Sequence, residues 1–256
     1  DAGGTNNANF ATPPDGQRPR MQVYLWGGGA VPRDACADNA TVVHEFGHGV
    51  SNRLTGGPSR SDCLYNEESM GEGWSDYLAL MYTQNWATSN LNSGYTSPRG
   101  ISTYAAGQNP NGSGIRSQRY CTNFTINNKV YSTSLPSSSH SRGEIWCATL
   151  WDMTWNIINE VGSINPTIFD SSSAGGNAVA LRLVMEGMRL QPCYPGFIDG
   201  RNAILQADQI LYGGRFACAI KEAFGRGRMG VYASQGCSDD VNEQRPDYYG
   251  GVSVVL

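Results

Sequence analysis

Apolar residues recur at helical spacing through the second half of the chain, and this spacing predicts where helices lie. The patterns predict helices over residues 142–161, 174–190, 197–212 and 217–224. The tryptophan and methionine residues of these stretches are interpreted as core packing rather than as a cofactor site. The second half of the chain is therefore expected to be a helical domain.

The first part of the chain and a long later segment have different patterns. Residues 1–35 are irregular and extended, with a turn predicted at Pro13-Pro14-Asp15-Gly16 between two strand-like pieces. The second piece, residues 21–26, alternates enough to predict a strand. Residues 88–139 are rich in Ser, Asn, Gly and Tyr and predict a long loop with short irregular elements. The predicted fold class is mainly α with a small β portion.

Two further helices are predicted between these regions. Asp38 or Asn39 is a good N-cap, and apolar residues follow at roughly helical spacing over 40–54. The sequence Thr-Gly-Gly-Pro at residues 55–58 predicts the end of this helix. The second helix is predicted over residues 69–81.

The first of these helices contains His44-Glu45-Phe46-Gly47-His48, an H-E-x-x-H motif that uses two of the three histidines. Residues four apart share one helix face, so both imidazoles can reach the same metal ion. The carboxylate of Glu45 projects beside that face, where it can take a proton from water. The alternative is a pair of surface histidines on an amphipathic helix. The motif indicates a zinc metallopeptidase if a third ligand exists.

Glu72, in the second predicted helix, is the candidate third ligand. It could bind the metal while Asp76, four residues later, accepts the other ring N–H of a ligating histidine. Alternatively, Ser69 and Glu72 form only a capping box. The ligand interpretation is favoured because it completes the H-E-x-x-H motif.

Length and charge exclude several classes of function. The 256 residues can bury the core of one large or two small domains. With 18 basic and 22 acidic residues and no basic run, nucleic acid and anionic membranes are not expected as partners. No apolar stretch approaches a membrane span and no signal peptide is recognised, so the chain is expected to begin as a mature or trimmed product.

The cysteines and glycosylation sequons favour a secreted, oxidising environment. Seven cysteines occur without a C-x-x-C pair, and sequons lie at Asn39, Asn111 and Asn123. The odd number leaves at least one thiol free or paired with another chain. Cys36 and Cys63 bracket the motif helix and its following loop, so a disulfide between them is a hypothesis.

The stretch from His44 to Gly57, followed by Met70-Gly71-Glu72-Gly73-Trp74-Ser75-Asp76, resembles the fungalysins. These are secreted fungal metallopeptidases of the gluzincin group, related to thermolysin. The resemblance covers most of the chain and continues at residues 6–16, 143–146, 190–193 and 221–227. The segment before Met70 departs from the family because it is shorter than the usual acidic, glycine-rich run.

The resemblance implies specific roles for the motif residues. His44, His48 and Glu72 would be the zinc ligands and Glu45 the catalytic base. A histidine at the position of His140 donates a hydrogen bond to the reaction intermediate in relatives. Residues 137–139 are all serine here, so no acidic residue immediately before His140 is available to orient its ring.

Other parts of the resemblance concern substrate binding. Gly114-Ile115-Arg116 resembles the segment that supplies an arginine to a substrate carbonyl; the alternative is a solvent-exposed Arg116 without a partner. Asn7 and Ala8 match the edge strand that pairs with an extended peptide. Tyr65 could donate a hydrogen bond to the oxyanion, and Tyr120 and Tyr131 compete for that role.

Two cysteines, Cys121 and Cys147, occupy positions where the family is expected to have other small residues, so a disulfide between them is a second hypothesis. Thermolysin-like enzymes place the zinc helix between an N-terminal β-rich domain and a C-terminal helical one. Only 43 residues precede His44, so most of the β-rich half is expected to be absent. Residues 1–35 would be its edge-strand remainder, and residues 36–256 the zinc-site helices with the helical C-terminal domain. The remainder of the β-rich half could be a separate chain of the same precursor, or the protein could be a fragment or minimal variant.

The sequence therefore predicts a secreted zinc endopeptidase that acts on protein or peptide substrates with Glu45 as the general base. The alternatives are a catalytically silent zinc-binding fragment and a disulfide-stapled secreted interaction module. A calcium ion is possible, but no recognisable calcium loop supports it.

Overall fold

The computed structural model describes residues 4–27, 29 and 31–251, so each of the predicted units 1–35 and 36–256 includes a few residues outside the described part. Helices dominate the described part, and the prediction of a mainly α fold with a small β portion is confirmed. The helices are α1 (Asn39–Gly56), α2 (Gly71–Thr83), α3 (Ser93–Thr96), α4 (Ser139–Val161), α5 (Gly176–Leu190), α6 (Phe197–Tyr212) and α7 (Ala217–Arg226). Short 3-10 helices lie at Ala35–Ala37 and Trp86–Thr88. No helix among the described residues has both the length and the apolar character needed to cross a membrane.

The β portion consists of two small antiparallel sheets. Strand β1 (Ala8–Ala11) pairs with β2 (Arg20–Val23), and β3 (Leu25–Trp26) pairs with β4 (Arg33–Asp34). The single strand predicted over residues 21–26 is thus divided at Tyr24 between two sheets. The division occurs because the Tyr24 carbonyl accepts a hydrogen bond from the backbone of Ala35 rather than from β1.

Local capping decides where the two motif helices begin. Of the two candidates, Asp38 caps α1, accepting hydrogen bonds from the backbone N–H groups of Ala40 and Thr41 at 3.0 and 3.3 Å. Helix α2 begins after Met70 without a side-chain cap. The alternative capping box with Ser69 is therefore not formed, and the Glu72 carboxylate is free for other contacts.

Glycines allow the site helices to approach closely. A Cβ on Gly47 of α1 would lie 2.9 Å from the backbone of Ser75 on α2. A Cβ on Gly73 of α2 would lie 2.7 Å from the carbonyl oxygen of Gly143 on α4. Because these contacts involve backbone atoms, α1, α2 and α4 are packed more tightly there than larger side chains would permit.

The core confirms the packing role assigned to the aromatic residues. Trp74 of α2 lies edge-on to Trp146 of α4, with ring centroids 4.9 Å apart. Trp146 also packs against Phe197 of α6 and Phe224 of α7, so one side chain joins four helices. These rings are almost entirely buried. They fix the positions of α2, which carries Glu72, and α4, which carries His140.

The cysteine hypotheses are wrong. Cys63 forms a disulfide with Cys193, whose neighbour Tyr194 donates a backbone hydrogen bond to the carbonyl of Cys63. Cys36 is a free thiol, because the 18 residues of α1 separate it from Cys63 by about 27 Å of helix. Cys121 and Cys147 are also free. The Cys121 thiol instead donates to the carbonyl of Gly94, while Cys147 lies within α4.

Residues 84–138 form a long irregular segment, where one was predicted over residues 88–139, and short helices interrupt it at Trp86–Thr88 and Ser93–Thr96. It is nevertheless ordered around buried groups, since Tyr120, Tyr131 and Leu135 are core residues. The backbones of Arg99 and Tyr120 exchange hydrogen bonds of 2.9 and 2.7 Å. Arg116 and Tyr120 of this segment contact Asp76 of α2.

Candidate metal centre and active site

Three residues predicted as metal ligands come together at the crossing of α1 and α2. His44 and His48 lie one turn apart on α1, and Glu72 lies in the first turn of α2. One ligand atom from each lies within 4.8 Å of the others. Within the described residues, this is the single group of three or more His, Cys, Asp or Glu side chains so arranged. Two imidazoles and one carboxylate, with a position left open, are the donor set of a catalytic zinc site.

Asp76 lies one turn beyond Glu72 and orients the first histidine. Its Oδ1 lies 2.8 Å from Nδ1 of His44, and its side chain is fully buried. Because the carboxylate is an acceptor, Nδ1 carries the proton in this pair and Nε2 is left as the ligand atom. Nε2 lies 3.3 Å from Glu72, on the side of the proposed metal.

Arg116 reaches the same two carboxylates from the long irregular segment. Its Nε donates to Asp76 at 2.7 Å, and its Nη2 donates to Glu72 at 3.0 Å. The side chain is buried, so the alternative of an exposed arginine without a partner is wrong. Nη1 takes no part in these ion pairs, and contact with a substrate carbonyl through that atom stays a prediction.

The cluster shifts the pKa values of its two histidines in opposite directions. Burial disfavours charge on His44, but hydrogen bonds to Asp76 and Glu72 outweigh it and raise the pKa to about 9. Burial, with the neighbouring His44 charge, lowers the pKa of His48 to about 4. Burial opposes ionisation of Glu72, but His44 first and then His48 and Arg116 lower its pKa to about 2. A cation that binds here must displace the His44 proton.

Glu45 has the surroundings of a proton acceptor. It is buried beside the histidine pair, and among the described residues nothing donates a hydrogen bond to its Oε2. Burial raises its pKa to about 7, with the charge of His44 opposing this effect. A buried carboxylate with an unpaired oxygen is suited to exchange a proton near neutral pH.

His140 lies at the start of α4 and is largely exposed toward the same cavity. Its Nε2 lies 3.4 Å from Oε1 of Glu72. The carboxylate that neighbours its ring therefore comes from α2, which the serine run of residues 137–139 gave no means to predict. His140 is close enough to the ligand cluster to face a substrate bound there.

The three tyrosines that are candidates for the oxyanion hydrogen bond differ in burial. Tyr65 is 72% exposed and lines the cavity, as the oxyanion role requires. Tyr120 and Tyr131 are fully buried, and their hydroxyl groups donate to Asp76 and Glu68 respectively. They are therefore not available to a substrate, and the assignment of Tyr65 stays a prediction.

The cavity has a volume of about 1160 Å³ and joins the metal cluster to the first strand. Asn7 and Ala8 line its opposite side, at the start of β1, and in the described part of the chain β1 has only β2 as a strand neighbour. The Asn7 carbonyl accepts a hydrogen bond from the indole of Trp26 at 3.2 Å. The arrangement leaves a strand edge near the metal cluster, and its role in substrate binding stays a prediction.

Sequence reasoning missed two features around the site. Thr41, one turn before Glu45, donates to Ser102 at 2.8 Å, and both hydroxyl groups lie at the cavity wall. The contact between Tyr120 and Asp76 was also missed. The helical position of Thr41 could have indicated the first feature, but Ser102 and Tyr120 lie in a segment without periodicity.

Two comparisons find known proteins that are similar to this chain. A family model described as fungalysin metallopeptidase (M36) matches residues 1–233. The chain is 42% identical over 245 residues to extracellular metalloproteinase 4 of Arthroderma gypseum, covering 91% of this chain and 36% of that protein. It is 42% identical over 239 residues to extracellular metalloproteinase 10 of Uncinocarpus reesii, with the same coverage. The protein of the same name from Coccidioides posadasii is 39% identical over 239 residues, covering 91% of this chain and 37% of that protein. The chain thus spans little more than a third of the length of these relatives.

Proposed function

Because the chain belongs to the fungalysin metallopeptidase family, M36, we propose that it is the catalytic part of a secreted zinc endopeptidase. The observation that carries the proposal is the cluster of His44, His48 and Glu72, with the unpaired carboxylate oxygen of Glu45 beside it. The relatives' names describe extracellular metalloproteinases, which supports secretion.

Each residue of the site would have a separate role in peptide hydrolysis. Zinc held by His44, His48 and Glu72 would supply a Lewis acid that polarises a carbonyl and makes water more acidic. Glu45 accepts the proton of the attacking water and returns it to the leaving amine. His140 donates a hydrogen bond to the negative charge that develops on the substrate carbonyl oxygen.

The remaining residues position the substrate and the ligands. An extended peptide would lie along Asn7 and Ala8, where backbone groups of the strand edge can pair with it as an added strand. Arg116 keeps Glu72 and Asp76 ionised, and as a residue of the cavity lining it would donate to a substrate carbonyl through Nη1. Tyr65 is the exposed candidate for a further hydrogen bond to that oxygen.

The test is a combined zinc and activity measurement on the purified chain. We expect one zinc per chain by metal analysis and hydrolysis of casein that a chelator abolishes and added zinc restores. Stoichiometric zinc without hydrolysis would instead support the catalytically silent fragment. Absence of zinc would support the interaction module and overturn the proposal.

The relatives are much longer than this chain, so the rest of the β-rich half would come from a separate N-terminal chain of the same precursor or from residues joined to this sequence. A separate N-terminal chain of the same precursor would complete the wall of the cleft opposite the helical domain. Intact mass and N-terminal sequencing of the native material test this directly: one component of this sequence alone would contradict it.

A further inference from the structure

Tyr120 contacts the site indirectly, through the carboxylate of Asp76. Its hydroxyl donates to Oδ2 of Asp76 at 2.5 Å, while Oδ1 of the same carboxylate bonds to Nδ1 of His44 at 2.8 Å. Its side chain is fully buried and does not line the cavity. The chain of contacts therefore runs from Tyr120 through Asp76 to His44.

We propose that Tyr120 is a positioning residue for the metal: by holding Asp76, it keeps the His44 ring turned so that Nε2 faces the ligand cluster. This inference rests on the proposed zinc function. It predicts that the Tyr120 hydroxyl contributes to zinc affinity, although it lies two contacts away from the metal.

The hydrogen bonds of Asp76 explain why a single hydroxyl matters. Oδ1 accepts from His44 and from Nη2 of Arg116 at 2.9 Å, and Oδ2 accepts from Nε of Arg116 at 2.7 Å and from Tyr120. Four donors fill the four lone-pair positions of the carboxylate and leave it no freedom to rotate. Without the hydroxyl, one position on a fully buried oxygen is empty and water has no access to fill it.

The surroundings of Tyr120 keep it a permanent donor. Burial, and then the Asp76 charge, raise the pKa of its hydroxyl well above the usual value, so it stays protonated throughout the working range. The Cys147 thiol also interacts with this hydroxyl, and burial raises the pKa of the thiol well above its usual value, so it stays neutral. Asp76 is therefore the charged acceptor for the tyrosine O–H.

Tyr131 is a matched control within the same protein. It is also fully buried, and its hydroxyl also donates to a buried carboxylate, that of Glu68, at 3.0 Å. Glu68 does not belong to the metal cluster. Tyr120→Phe and Tyr131→Phe therefore remove the same atom from similar surroundings, but only the first change reaches His44.

The experiment measures zinc affinity of the whole chain by competition with a chromophoric chelator, for wild type, Tyr120→Phe and Tyr131→Phe. We expect Tyr120→Phe to bind zinc about 10-fold more weakly, the lower end of the range for direct partners of metal-ligating histidines, because Tyr120 acts through Asp76. Tyr131→Phe should bind as wild type does. The visible absorption of the Co²⁺ form should change in Tyr120→Phe only, because it reports the geometry of the ligands.

Equal zinc affinity in Tyr120→Phe and wild type overturns the inference, and so does an equal loss in both variants. In an Asp76→Asn background, Tyr120→Phe should cause no further loss, and a full additional loss also contradicts it. If Tyr120→Phe cannot be purified without zinc, the rate of zinc loss to excess chelator is measured instead, and rates equal to those of Tyr131→Phe overturn the inference. A wild-type chain that binds no zinc overturns the proposed function as well, which separates the two failures.

Discussion

His140 lies beside Glu72, with 3.4 Å between Nε2 and Oε1, although 68 positions of sequence separate the two residues. His44 and His48 lie 3.3 and 3.7 Å from the same carboxylate. All three histidines of the chain therefore meet at one acidic side chain. Two of them lie on α1 as candidate ligands, and the third faces the cavity from another helix.

Replacing His140 should impair catalysis without removing zinc. In His140→Phe the donor to the developing oxyanion is lost, so kcat should fall by about 10²- to 10³-fold. Zinc content should be unchanged, because His140 is not among the grouped ligand atoms. Steady-state kinetics with metal analysis on one preparation measure both quantities. Loss of zinc in step with activity would contradict the assigned role.

Glu45→Gln should keep zinc and lose nearly all activity. The amide has the same shape but cannot take a proton, so the rate should fall by at least about 10²- to 10⁴-fold. Glu160→Gln is the control for the change in charge, because Glu160 is an exposed carboxylate near the end of α4, away from the metal cluster. Turnover at the wild-type rate in Glu45→Gln would refute the general-base role.

Gly73→Ala should disturb the packing of α2 against α4. The added Cβ would meet Gly143 O and the Trp146 side chain, each at 2.7 Å, so we expect a loss of about 1–3 kcal/mol in the free energy of unfolding. Gly71→Ala is the control in the same helix, since its Cβ would approach no atom closer than 3.5 Å. Urea unfolding compares the two variants. Equal stability would show that α2 and α4 can separate without cost.

The Cys63–Cys193 disulfide should stabilise the protein by reducing the conformational entropy of the unfolded chain. It closes a loop with a sequence separation of 130, so replacing both cysteines by alanine should cost roughly 3–5 kcal/mol of unfolding free energy. Peptide mapping under non-reducing conditions should recover these two cysteines in one linked peptide. A linked peptide containing Cys36 and Cys63 would show that the pairing is different.

Asp152→Asn should stabilise the protein more at pH 8 than at pH 5. Burial raises the pKa of Asp152 from its ordinary value of 3.8 to about 7, although Arg226 at 3.3 Å opposes this. The folded state thus holds the proton more tightly, and stability falls as the pH rises from about 4 to about 7. Asparagine removes this ionisation, so the gain relative to wild type should increase by about 2 kcal/mol between the two pH values. Urea unfolding at both pH values measures it, and a constant difference would contradict it.

Sequence reasoning was most successful where the determining interactions are local. Helix α6 was predicted at its observed bounds, Phe197–Tyr212, because its apolar periodicity and the following Gly213 are both readable along the chain. The spacing of His44 and His48 likewise needed only the geometry of one helix. The family resemblance supplied His140, whose serine-rich surroundings contain no comparable signal.

Long-range contacts were the part that sequence reasoning could not supply. The disulfide partner of Cys63 lies between α5 and α6, and nothing in the spacing of seven cysteines selects it. Arg116 and Tyr120 contact Asp76 from a segment without periodicity, so their partners follow only from the packed structure. The division of the predicted strand at Tyr24 depends on a backbone hydrogen bond from Ala35, which is equally non-local.

The glycine contacts between helices have a consequence for the independence of the metal site. Gly47 fixes α1 against α2, and Gly73 and Gly143 fix α2 against α4, so the three helices form one rigid frame. That frame supplies every candidate ligand as well as Glu45 and His140, whereas the strand edge near Asn7 belongs to a separate small sheet. Under the proposed function, metal loading would depend on this frame and peptide capture on the small sheet, so damage to the strand edge should raise KM while leaving the bound metal in place.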